Sequence, residues 1–111
     1  MSLIKADSTF NALAITDTNL KTGSTITLDR FQVKTIMVEN GLNQTVTIQC
    51  QASSHADFSN PVDVGSTFNV SATTNSYQTC DDYFPYMRAT AQCSQAPASG
   101  TLTVEFIQHG D

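Results

Sequence analysis

Apolar side chains in this chain recur at every second position, and that periodicity leaves few folds open to it. In Thr45-Val46-Thr47-Ile48-Gln49-Cys50, the residues Val46, Ile48 and Cys50 share one face and Thr47 and Gln49 the other. From Tyr86 to Cys93, Met87, Ala89, Ala91 and Cys93 point one way against Tyr86, Arg88, Thr90 and Gln92. Successive side chains of a strand point to opposite sides of its sheet, so each segment can bury one face and wet the other. The same reading puts Ile26 and Leu28 inward on 24–31, Ile36 and Val38 inward on 33–39 against Lys34, and Leu102, Val104 and Phe106 inward on 101–108. Further strands are expected at 10–16, at 62–64 and 67–70 with a bend or bulge at Gly65-Ser66, and at 77–80. Helical spacing is hard to find anywhere.

Asn40-Gly41 lies between two alternating runs and predicts a tight hairpin, because both residues tolerate the positive φ of such turns. The polar stretches 51–61, 72–76 and 94–100 read as loops. Seven or eight short strands in 111 residues make one all-β domain, since a chain of this length buries enough surface for a single core. We expect an antiparallel β-sandwich, Ig-like or jelly-roll, over residues 9–111. Residues 1–8 carry little periodicity and are expected to be a flexible or partner-bound arm. Residues 1–16 could exchange with a neighbouring subunit or form a first strand in their own domain.

Charge narrows the function. Five Lys and Arg against ten Asp and Glu give a net charge of -5, and only 14% of residues are charged. The polar surface is therefore built from hydroxyls and amides. Five scattered bases offer no stripe for a phosphate backbone or an anionic lipid surface, so neither nucleic acid nor membrane is expected as a partner. The longest apolar runs are too short to span a bilayer. Met1 to Asp7 lack the apolar stretch of a secretory signal.

Few residues suggest bond-making chemistry. Only His55 and His109 could serve a hydrolytic triad, and no Ser or Cys sits in a nucleophile-elbow setting. No catalytic residue and no cofactor is assigned. Asp57, Asp81 and Asp82 are hard oxygen donors on predicted loops, but the spacing of a calcium loop is missing, so no metal site is assigned either. Cys50, Cys80 and Cys93 lack zinc-ligand spacing. Cys50 and Cys93 both fall at core-facing strand ends, where they could pair across a sandwich or stay as buried core thiols. Cys80 lies beside two carboxylates that oppose its ionisation and is a poor nucleophile. Phe58, Tyr83, Phe84 and Tyr86 are the candidate binding or interface residues: exposed, they could stack on sugar rings, and packed, they would anchor a corner of the sandwich.

The order of a hairpin at Val38–Val46, a Ser/Asp loop carrying Phe58, the strand Tyr83-Phe84-Pro85-Tyr86-Met87-Arg88-Ala89-Thr90 and the closing Ala98-Ser99-Gly100-Thr101-Leu102-Thr103-Val104 resembles the small β-sandwich modules of tailed-phage virions and bacterial surface fibres. That resemblance implies a non-enzymatic structural protein, most concretely a capsid decoration or accessory virion subunit. It would work as a homo-oligomer docked on other virion or fibre proteins, located in the virion or, for a fibre, at the cell surface. The alternative is an extracellular carbohydrate-binding sandwich with glycans as partners. An acidic surface of one sign suits the first reading, because it keeps a crowded subunit soluble.

Overall fold

The computed structural model describes residues 3–28, 31–80 and 84–110. Among them lie nine strands and no helix: β1 (Leu3–Leu13), β2 (Lys21–Thr22), β3 (Ile26–Thr27), β4 (Phe31–Asn40), β5 (Val46–Ser53), β6 (Val62–Val70), β7 (Thr74–Thr79), β8 (Tyr86–Cys93) and β9 (Leu102–Gly110). They form two antiparallel sheets, one in the order β1-β9-β4-β7 and the other β2-β8-β5-β6, with β3 also on β8. The protein is an antiparallel β-sandwich.

Its topology follows from nesting. β5 pairs with β6, β4 with β7, β2 and β3 with β8, and β1 with β9. The chain is thus one long antiparallel hairpin with its tip between β5 and β6, rolled so that β9 also meets β4 and β8 also meets β5. Two sheets of interleaved strands built this way are a jelly roll, which settles the choice against the Ig-like order.

The period-two pattern is realised in the core. Val46, Ile48, Cys50 and Ala52 of β5 face Leu102, Val104 and Phe106 of β9 and Val33, Ile36 and Val38 of β4 across the sheet interface, all of them buried. β4 alternates imperfectly because its register against β9 shifts between Val33 and Thr35. β6 is one strand, with three residues, Gly65 to Thr67, standing opposite Gln49 alone. Gly65 sits at φ +71, a conformation open to glycine without penalty, and the Gln49 amide donates to the Val64 and Gly65 carbonyls at 3.3 and 3.2 Å. The expected bend is therefore a bulge stapled by a side chain.

Leu3 to Ser8, expected to be an arm, is instead the first half of β1, in regular register with β9 from Leu3 opposite Gly110 to Ser8 opposite Glu105. Its weak alternation reflects its place at the sheet edge, where Ile4, Lys5 and Ala6 stay exposed. The hairpin expected at Asn40-Gly41 does not form: β4 and β5 lie in different sheets, so the connection crosses from one sheet to the other, and neither residue takes a positive φ. Asn40 is 1% exposed, and its side chain accepts from the Leu42 amide and donates to the Gln44, Val70 and Ser71 carbonyls, tying the β4–β5 connection to the end of β6.

Candidate functional site

The two sides of the sandwich differ. On one side the sheets are hydrogen-bonded together. β2 and β3 are separated by a gap around Gly23, and a bulge in β1 pushes Thr9 into it. The Thr9 hydroxyl donates to the Ser24 carbonyl at 2.8 Å and accepts from the Ala89 amide at 3.2 Å, while the Thr9 carbonyl accepts from the Ser24 amide at 2.8 Å. Gly23 donates to the Ala89 carbonyl. A Cβ on Gly23 would collide with the Thr9 hydroxyl and stand 2.8 Å from the Thr9 carbonyl, so this stitch needs glycine there.

The other side is open. β6 and β7 are the edges of their sheets and form no ladder with one another. Between them lies a cleft of about 380 Å³, lined by Ile36, Cys50, Val64, Phe68, Gln78 and Cys80 among others. The two edges are not alike. Exposed strand edges invite pairing with another chain, and proteins blunt them with charges, bulges, shortness or cover. β1 carries the charged Lys5 and Asp7, which pair at 3.2 Å, and two register shifts. β2 and β3 are two residues each. β6 carries Asp63 and the Gly65 bulge. β7, Thr-Asn-Ser-Tyr-Gln-Thr, has six residues in unbroken register with β4 and no charge, proline or bulge. It is mostly exposed, and Tyr77 on it is 64% exposed.

The candidate aromatic residues fall elsewhere. Phe58 is 6% exposed: the loop after β5 turns back with Phe58 donating to the His55 carbonyl and takes the left-handed φ of +58, an unfavourable conformation for a bulky residue. The buried ring offsets that strain, and the Arg88 guanidinium lies 4.0 Å over its centroid. Arg88 also donates to the Gln51 side chain at 3.0 Å, and Gln51 donates onward to Asp63 at 3.3 Å. Phe58 is thus the anchor of a polar relay on the outer face of the second sheet. Phe84 packs on the core and Tyr86 is half-buried at the entrance of β8. Tyr83, Asp81 and Asp82 lie outside the described residues.

His55 is exposed in the β5–β6 loop, while His109 sits on β9 in the other sheet. No group of three or more His, Cys, Asp or Glu among the described residues could hold a metal ion. The Asp57 carboxylate accepts from the Ser59 amide at 3.1 Å, which holds it below the usual carboxylate range. No disulfide joins the cysteines. Cys50 and Cys93 lie on adjacent strands of one sheet, opposite Ala89 and Val46 respectively, four positions apart along β8. At about 3.3 Å per residue that is roughly 13 Å, too far for a bridge, so the pairing considered across the sandwich does not exist and both are core thiols. Burial pushes the Cys50 thiol up to about 12, with the neighbouring Cys80 adding to the effect, and raises that of Cys93. The bare β7 edge and the Arg88–Phe58 stack were not foreseen. A charge-free Thr/Asn/Ser/Gln run beside an exposed Tyr was the available signal for the first.

No family model matches the chain, and no curated protein matches it. A solved crystal structure of PirA is similar in fold, with a TM-score of 0.59 over 96% of this chain and 92% of that one, at 13% identity.

Proposed function

We propose that this protein is a non-enzymatic structural subunit that assembles by strand-to-strand pairing with copies of itself, most concretely a capsid-decoration or accessory virion protein. The observation that carries the reading is β7: it lacks the protections that the other edges have. Pairing of an extended segment with an open sheet edge draws its affinity from main-chain hydrogen bonds. β7 suits a second copy because it is uncharged. Antiparallel self-pairing of two β7 strands brings no like charges together, although each chain carries -5. The same arrangement is isologous and closes on a twofold axis. Jelly rolls serve viral capsids and lectins alike, and the resemblance of the Val38–Val46 and Tyr83–Val104 segments to virion and fibre modules supports the first use.

Light scattering coupled to size exclusion, from micromolar to millimolar protein, tests the reading. The wild type is expected to show a concentration-dependent dimer, and Asn75→Lys with Tyr77→Lys, which restores charge to the edge, to shift it to monomer. A strict monomer over the whole range, or a dimer indifferent to both lysines, overturns it.

A further inference from the structure

The open side of the sandwich holds two thiols, one on β5 and one just past β7, that line the same cleft. Cys50 is inward on β5, and Cys80 follows β7 directly in the opposite sheet. Both line the cleft between β6 and β7 and are 2% and 8% exposed. The two thiols are near enough for Cys80 to oppose ionisation of Cys50. A disulfide needs Cα atoms about 4.4–6.8 Å apart, and the end of β7, a strand paired only on its β4 side, borders the cleft that separates it from Cys50. On the opposite side Thr9 already joins the sheets.

We propose that Cys50 and Cys80 form a disulfide that clips the two sheets together across the open side, with a low-molecular-weight disulfide as the oxidant. Cys80, the more exposed of the two, loses its proton at alkaline pH, against the opposition of the two carboxylates that follow it in sequence, and attacks one sulfur of the oxidant. This gives a mixed disulfide and releases one small thiolate, which takes up that proton. Cys50 then loses its proton and attacks the Cys80 sulfur, forming the Cys50–Cys80 bond and expelling the second small thiolate, which is protonated in turn. Two protein thiols are oxidised and one small disulfide is reduced to two thiols. Burial keeps Cys50 protonated, so closure is slow in the folded protein at neutral pH and fast in alkaline buffer or during refolding. The clip does not depend on the assembly reading, since β7 presents its outer edge whether or not its end is tethered.

The test is refolding from urea in oxidised and reduced glutathione at mildly alkaline pH, then alkylation and non-reducing peptide mapping. A peptide pair joined through Cys50 and Cys80, short of two hydrogens, is expected in the wild type and in Cys93→Ser, with Cys93 alkylated in the wild type. The oxidised protein should melt about 10 °C above the reduced one, because the bond closes a long loop in the unfolded chain. Cys80→Ser, at a strand end where folding is least disturbed, should lose both the link and the shift. Full alkylation of all three cysteines, a glutathione adduct that never resolves, or a bond to Cys93 overturns the proposal.

Discussion

Asn40→Ala is the most informative perturbation of the scaffold that holds β7 in place. Of the four hydrogen bonds of the Asn40 side chain, those with the Leu42 amide and the Val70 carbonyl, both 3.0 Å, are buried, while those to Gln44 and Ser71, both 3.1 Å, are only partly so. Removing the amide strands two buried backbone groups at about 1–3 kcal/mol each. The partly buried carbonyls turn to water and cost little. The expected loss is about 3–4 kcal/mol, a large share of the roughly 5–15 kcal/mol that holds a domain folded. With a urea dependence of about 1.2 kcal/mol per molar for a chain this small, the unfolding midpoint should fall by about 2.5–3.3 M. Asn40→Asp keeps the acceptor for Leu42 but aims an oxygen at three carbonyls, so it should lose at least as much at neutral pH. A drop below about 1 kcal/mol for Asn40→Ala would show that the connection is held by its backbone alone, and the reasoning would be refuted.

Three further outcomes are expected. Gln108 is buried with its Oε1 unpartnered while its amide donates to Asp7 at 2.7 Å; Gln108→Met removes the stranded acceptor, leaves Asp7 to Lys5 and water, and should stabilise by about 1 kcal/mol, whereas a loss above about 2 kcal/mol in thermal or urea melts would mean that the acceptor is satisfied in solution. Because the fold raises the Cys50 thiol from 9.0 to about 12, it holds that proton more tightly than the unfolded chain does. The associated stability is complete below about pH 9 and lost as pH rises through about 12, at about 1.4 kcal/mol per pH unit; parallel alkaline stability curves for wild type and Cys50→Ala would count against this. Gly23→Ala drives a methyl into Thr9 and should cost about 2–4 kcal/mol, in the range of overpacking with a broken hydrogen-bond pair, and native-state hydrogen exchange should show the Ser24 and Ala89 amides losing protection first.

What the sequence made legible is what depends on neighbours along the chain. The inward sets of β5, β8 and β9 were readable because their cross-strand registers run almost unbroken, so period two survives from end to end. β4 was only partly readable, since the shift between Val33 and Thr35 changes which parity faces the core. The jelly-roll order was not readable, because its defining pairs, β1 with β9 and β4 with β7, join residues far apart, and nothing local in Leu3–Ser8 announces Gln108 or Phe106 as its partner.

The candidate site was less legible for a related reason. Sequence leaves Phe58 open between an exposed stacking residue and a packed anchor, because its packing involves Arg88, thirty residues later, and a left-handed turn that no glycine or asparagine signals at that position. The cysteine pairing went astray in the same way: equal parity on two strands puts Cys50 and Cys93 on one inner face, but only register reveals that they share a sheet, and only topology brings Cys80 opposite. β7 shows the limit most clearly. Its six residues carry few apolar anchors, so they read partly as a turn, yet that same lack of charge and bulk leaves its outer edge open to a neighbour. An edge strand without charge, proline or bulge gives weak local signals, and its openness becomes visible only when the other edges of the same sandwich are seen to be guarded.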